Sequence, residues 1–341
     1  MNCSPLQDPV QTTIPPAIRD WIGRRLSGPP RGRRLRHPAA CLFALGRIGD
    51  FVLTLSALRL LVRHFGEKDV VLVVPHSSAT IAQREFPGVR RIVMPADAAG
   101  LVREIIPAWW REREKFAEDR FARRICLSHQ RGLYYETALT WIDADEDLRL
   151  MPATYPAVPE TRTCTELLAH WRLVETVLQR KVDRSEILPA FHQQPMGEDG
   201  RLLVYPLSLV TARTVPASAV IPVLSRWRQR SRAPIILGGT PADTAELTRY
   251  AEAARQVGID RISIETPSGV DGLLAHIAGA GAVFAADSAP AHIALALDKR
   301  AVVLMRDYLV GYCQPWGRSE RQQVFPAATP AETVAAALPA L

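Results

Sequence analysis

Four short stretches of this sequence combine residue types that can bind an anion or move a proton. The first, Leu45-Gly46-Arg47-Ile48-Gly49-Asp50, ends with a carboxylate where a helix should begin. The helix dipole and unpaired N–H groups favour the ionised form there, and the two glycines allow a tight turn. Asp50 therefore reads as a helix N-cap or as an ionised carboxylate with a functional task. The second stretch is Ala286-Asp287-Ser288-Ala289-Pro290-Ala291-His292. Small residues with proline in the first turn expose the N–H groups of Ser288, Ala289 and Ala291 to a diphosphate, and Ser288 and His292 can add side-chain bonds. Asp287 is placed to bind sugar hydroxyls; the plainer alternative is an N-cap beside a buried histidine. The third, Val204-Tyr205-Pro206-Leu207-Ser208 and the following residues 211–216, offers Ser208 and Arg213 to phosphate. In the fourth, Leu237-Gly238-Gly239-Thr240-Pro241-Ala242-Asp243, Gly239 permits close approach of a base or ribose and Asp243 can hold ribose hydroxyls. Taken singly, each is also compatible with an ordinary strand-to-helix turn. None has the G-x-G-x-x-G spacing of a dinucleotide site, which counts against a nicotinamide dehydrogenase.

These stretches need strands and helices to hold them. Short apolar runs predict strands over 40–45, 70–74, 91–94 and 124–128, with helices over 50–65, 98–116, 133–142 and 163–181. Periodicity is lost over 183–200, where proline, glycine and charge collect as in a linker. The alternation then restarts, with strands over 201–205, 234–237, 261–264, 282–285 and 301–305 and helices over 216–230, 241–257, 270–280 and 289–297. Thr329-Pro330-Ala331-Glu332 predicts a capping box at the start of a last helix. The expected fold is α/β, with two Rossmann-like doubly wound domains facing a cleft, at 39–182 and 201–341. Residues 1–38 form a basic extension with one short helix at 16–26. Its arginine run reads as a solvated tail or as a contact with an anionic membrane surface.

With 341 residues, two domains are the prior, and 48% hydrophobic with 23% charged residues is an ordinary globular balance. No stretch approaches the roughly 18 apolar residues of a membrane span. The 5 cysteines are scattered without C-x-x-C spacing, so neither a disulfide framework nor a zinc site is expected. The start of the chain lacks an apolar segment after a basic one, so no secretory signal is expected. Among the 42 basic residues, lysine occurs only at Lys68, Lys115, Lys181 and Lys299. Arginine suits phosphate and carboxylate partners, although codon bias alone would produce the same excess. Aromatic residues are not interleaved with the basic run, which argues against nucleic acid.

In their order, the four stretches resemble glycosyltransferase family 9, the heptosyltransferase family. The resemblance begins at GRIGDFVLTLSALRLL, continues through ICLSHQRGLYYETALTWIDA and is strongest at VFAADSAPAHIALAL. It implies a GT-B fold, a glycosyltransferase and an inverting, metal-independent transfer. No cofactor is implied, and the substrate is a nucleotide diphosphate sugar, ADP-heptose being typical of the family. By position, Asp50 matches the general base, and Asp287, Ser288, Ala289 and His292 match the donor-binding helix start. Arg213 stands where the family commonly has lysine, and Asp243 lies near its ribose-binding acid. Ala289 replaces a usual glycine and Ser56 a usual proline.

The expected acceptor is an anionic lipopolysaccharide core or another surface glycan. Arg47, His129, Gln130 and Arg131, at the carboxyl ends of first-half strands, are the candidates to meet it. The expected place is the cytoplasm, with peripheral contact at the inner face of the cell membrane. A nucleotide-sugar epimerase or hydrolase on the same scaffold, or a non-catalytic sugar-nucleotide-binding protein, stands as the alternative.

Overall fold

The computed structural model describes residues 28–30, 36–94, 111–128, 133–149, 165–192, 199–305 and 319–339. The first sheet is built from β1 (Ala40–Phe43), β2 (Val70–Pro75), β3 (Arg90–Met94), β4 (Phe121–Cys126) and β5 (Ala144–Arg149). They pair in the order β3-β2-β1-β4-β5, all parallel. Every residue of β1 and β2 is buried, because helices cover both faces of a parallel sheet, and this is why these strands read as unbroken apolar runs. Helix α1 (Ile48–Phe65) follows β1, α2 (Ala79–Glu85) follows β2, and α3 (Leu133–Thr140) follows β4.

After α4 (Thr165–Leu178) and the single turn α5 (Arg184–Ile187), the chain builds the second sheet. Its elements are β6 (Leu202–Tyr205), α6 (Ala217–Arg228), β7 (Ile235–Gly238), α7 (Thr244–Gln256), β8 (Ile262–Glu265), α8 (Gly269–Gly279), β9 (Ala282–Ala286), α9 (Ala289–Ala296), β10 (Ala301–Met305), β11 (Gln322–Pro326) and α10 (Ala331–Ala337). The strand order is β11-β10-β9-β6-β7-β8, all parallel. One face buries Leu202, Val204, Leu237 and Phe284 against Val220, Leu224 and Trp227 of α6, Tyr250 of α7 and Val334 of α10. Each large side chain fully buried there contributes about 1.5–3 kcal/mol.

The molecule divides into two compact units, and α1 is shared out: Ile48–Ala57 groups with the second sheet and the rest with the first. Ser56 in that part of α1 is buried, and its hydroxyl donates to the Leu188 carbonyl at 2.7 Å. The stretch read as a linker groups with the second unit, caps its own helix and is tied there by a backbone bond. Asp183 and Glu186 form a capping box on α5, and the Phe191 N–H donates to the Ala296 carbonyl at 3.3 Å.

Several elements depart from the sequence expectation. β5 went unpredicted because ADEDLR has no apolar period. It is an edge strand fastened to β4 by Arg123–Glu146 and Arg124–Asp147 ion pairs, both at 2.6 Å. β11, also an edge strand, went unpredicted too. The expected capping box at the last helix does not form: Pro330 is the N-cap, and Glu332 pairs with Arg226 at 3.0 Å. The basic extension is not wholly a solvated tail. Arg36 joins Asp119, which is fully buried and also takes Arg90, and Gly28 donates to Thr140 at 2.9 Å. The expected helix at 16–26 and residues 98–110 of the helix expected over 98–116 lie outside the described residues.

The other face of the second sheet carries a polar row. Tyr205 and Glu265 end β6 and β8 on either side of Gly238, whose missing side chain leaves room for the Tyr205 ring; a Cβ there would collide with it. The Tyr205 hydroxyl meets His276 Nδ1 of α8 at 2.6 Å, and His276 Nε2 lies 2.9 Å from Glu265 Oε2, close but poorly aligned for a hydrogen bond. Arg201 bonds Glu265 at 3.3 Å and also pairs with Asp199. Burial holds His276 below the ordinary histidine value; Glu265 and Asp199 oppose this, and Arg201 adds to it. The unfolded chain therefore binds a proton that the folded chain refuses, between about pH 6.5 and the lower folded value. Stability should fall as pH drops below about 6.5. Thermal unfolding of wild type from pH 8 to 5 should show the decline, and His276→Gln should flatten it.

Candidate functional site

Both sheets reverse their strand order once, and in such folds ligands bind outside the carboxyl ends of the strands at that reversal. In the first sheet it lies between β1 and β4, in the second between β6 and β9. The sequence motifs fall at these places.

After β1 the chain runs through Leu45 to Arg47 and enters α1, with Asp50 as its third residue and half-buried. Asp50 thus sits inside the first turn rather than at the N-cap, still where the dipole favours an anion. Arg47 is exposed. The Ser128 hydroxyl, just past β4, donates to the Leu45 carbonyl and ties the two loops flanking the reversal together. His129, Gln130 and Arg131 come next and lie outside the described residues.

The glycines of this motif do not serve a left-handed turn, since neither Gly46 nor Gly49 has a positive φ. Gly49 is needed for a close approach instead. A Cβ on it would stand 2.9 Å from His292 Cδ2 and 3.5 Å from Ala289 Cα, so the first turn of α1 packs on the first turn of α9. This contact brings the segment of Asp50 against the helix that begins in the second motif, and spacing within either motif alone could not reveal it.

In the second sheet, residues 206–214 leave β6 as a closed loop. The Val215 N–H donates to the Pro206 carbonyl at 2.9 Å, the Ser208 N–H to Thr214 Oγ1 at 3.1 Å, and the Tyr250 hydroxyl fastens Val215 at 2.6 Å. Thr214 and Tyr250 were not singled out in the sequence, although both shape the loop that carries Ser208 and Arg213. Arg213 ends a short 3-10 turn, and its Nη1 reaches Asp287 Oδ2 at 3.1 Å. Asp287, just past β9, is 2% exposed, and its other oxygen lies 3.6 Å from His292 Nε2. Burial pushes the Asp287 carboxyl up, but His292 and Arg213 outweigh it and hold the acid below the ordinary carboxylate value.

α9 starts as expected, with Ser288 at the N-cap and proline in the first turn. The number of donors is smaller than the motif suggested. The Ala291 N–H is taken by the Ser288 carbonyl at 3.0 Å and proline has none, so Ser288 and Ala289 supply the N–H groups without an intrahelical acceptor. The Ser288 hydroxyl donates back to the Ala286 carbonyl at 3.2 Å. After β7, the open side of Gly239 is filled from within: a Cβ there would meet Leu247 at 2.8 Å and Asp243 at 3.1 Å. Asp243 Oδ2 accepts the Thr240 N–H and hydroxyl, both at 2.7 Å, as a capping box. Among the described residues no group of three or more His, Cys, Asp or Glu gathers as metal ligands would.

The fold defined by these two parallel sheets is that of GT-B heptosyltransferases. Escherichia coli heptosyltransferase WaaC, solved with ADP, superposes with a TM-score of 0.65 at 15% identity over 87% of this chain and 94% of its own. The E. coli ADP-heptose LPS heptosyltransferase II gives 0.57 at 14% identity over 84% and 90%, and a glycosyltransferase family 9 protein from Veillonella parvula gives 0.63 at 14% over 87% and 89%. No curated protein matches by sequence. The model of glycosyltransferase family 9 (heptosyltransferase) matches residues 115–334, more than half of the chain, and the chain belongs to that family.

Gly49→Ala should cost about 1–3 kcal/mol by overpacking against His292. An unchanged unfolding midpoint would show that His292 yields freely and that the contact is not a constraint.

Proposed function

We propose that the protein is an inverting, metal-independent glycosyltransferase moving a sugar, with heptose the first candidate, from a nucleotide diphosphate sugar to a lipopolysaccharide-core or other surface-glycan acceptor. The observation that carries this reading is the arrangement at the reversal of the second sheet, where Arg213, His292 and the opening of α9 converge in a chain of this family. The E. coli heptosyltransferase WaaC structures with ADP and with ADP-2-deoxy-2-fluoro heptose support ADP-heptose as the first donor to try.

In this reading the diphosphate meets Arg213, Ser208 and the N–H groups of Ser288 and Ala289, fixed donors that stabilise charge growing on the leaving group without a metal. Ribose and base lie toward Gly239 and Asp243, with Asp243 Oδ1 the oxygen its capping bonds leave over. Asp50 takes the proton of the acceptor hydroxyl as that oxygen attacks the anomeric carbon from the face opposite the diphosphate. Arg47, His129, Gln130 and Arg131 meet the anionic acceptor. The enzyme works in the cytoplasm and touches the membrane surface; no helix among the described residues is long and apolar enough to cross a membrane.

Asp50→Ala should lower kcat by about 10²–10⁴ while donor affinity survives, measured by sugar transfer and by calorimetric titration of ADP-heptose. A fully active variant removes Asp50 from the chemistry. Transfer should persist in excess chelator, and loss restored only by a divalent ion would refute metal independence.

A further inference from the structure

Sequence alone places Asp287 among groups that touch the donor, with sugar hydroxyls as its partner. The geometry points to a different task, and we infer that Asp287 is a positioning residue: it aims Arg213 and His292 at the donor's diphosphate and makes no contact with the sugar. The inference rests on the nucleotide-sugar reading of this site.

Three observations carry it. Asp287 is 2% exposed, so a hydroxyl could reach it only by displacing a group already there. Its oxygens are divided between two cationic or polar partners, Arg213 Nη1 at 3.1 Å from Oδ2 and His292 Nε2 at 3.6 Å from Oδ1. A buried carboxylate separated from such partners would carry an uncompensated charge, which costs far more than a sugar hydroxyl returns. Finally, the partners differ from Asp287 in what they can still offer. The Arg213 side chain keeps 25% of its surface open, and a guanidinium has five N–H donors, so the ion pair with Asp287 leaves donors for phosphate. The loop that carries Arg213 is closed by the Val215 to Pro206 bond, while Asp287 leaves β9. Their ion pair fixes where the guanidinium stands relative to the opening of α9.

Contact with the sugar and positioning of the phosphate-side groups make opposite predictions for a nucleotide lacking the sugar. Calorimetric titrations of ADP and of ADP-heptose into the full chain, carrying Asp287→Asn, Arg213→Ala or both, separate them. Positioning predicts that Asp287→Asn weakens ADP and ADP-heptose by the same factor, about tenfold, as expected when a phosphate-facing guanidinium loses the ion pair that holds it. It also predicts that the double variant loses clearly less than the sum of the two single losses, because Asp287 acts in part through Arg213. Unchanged ADP affinity with weakened ADP-heptose would overturn the inference in favour of a sugar contact, and additive losses would overturn it as well. Asp287→Glu, which keeps the charge on a longer arm, carries the same comparison if the asparagine variant does not fold. If the wild type binds neither ADP nor ADP-heptose, nor GDP, UDP or CDP, the nucleotide-sugar reading itself fails, a result distinct from either of the others.

Discussion

A carboxylate inside a protein must have its charge compensated, and at Asp287 the compensation comes from two directions. Arg213 arrives from the loop after β6 and His292 from the first turn of α9. These strands are neighbours at the reversal of the sheet, so the ion pair joins the two loops that flank it. Much around it follows from this need. The loop of residues 206–214 must close to present Arg213, which Thr214 and Tyr250 arrange. α9 must place His292 beside the carboxylate, and α1 must lack a side chain at Gly49 where that imidazole passes.

The strands of both sheet centres were legible in the sequence because burial on two faces demands uninterrupted apolar residues. The edges were not. β5 is held by arginines on β4 that pair with its acidic residues, a relation between distant segments that leaves no local period. The site divides in the same way. The opening of α9 and the position of Asp50 in the first turn of α1 were readable from strand, small residues and helix in succession. The Arg213–Asp287 pair, the filling of Gly239 by Leu247 and Asp243, and the approach of Gly49 to His292 are tertiary relations. Glycine in a turn and glycine at a contact look alike in one sequence.

Structure also reassigns much of the arginine excess. Arg228 donates to the carbonyls of Ser231, Ala233 and Asp260, Arg230 to those of Ala335 and Leu338, and Arg124 to those of Leu139 and Ile142. Arg36 and Arg90 neutralise the buried Asp119. A forked side chain that satisfies several carbonyls at once finishes helix ends and loop corners, a use that has nothing to do with an anionic partner. The net charge of +7 therefore overstates the surface open to phosphate.

The division of α1 bears on how the chain could be taken apart. A cut in the stretch between the two sheets follows the rhythm of the sequence, yet Ile48–Ala57 belongs with the second sheet although it is encoded before most of the first. A fragment beginning at residue 183 would keep the Leu188 carbonyl without the Ser56 hydroxyl and His292 without Gly49. The second sheet is thus completed by a piece of chain made long before it. During synthesis that piece must wait for its partner, and shuffling the two halves among relatives would separate residues that pack as one body.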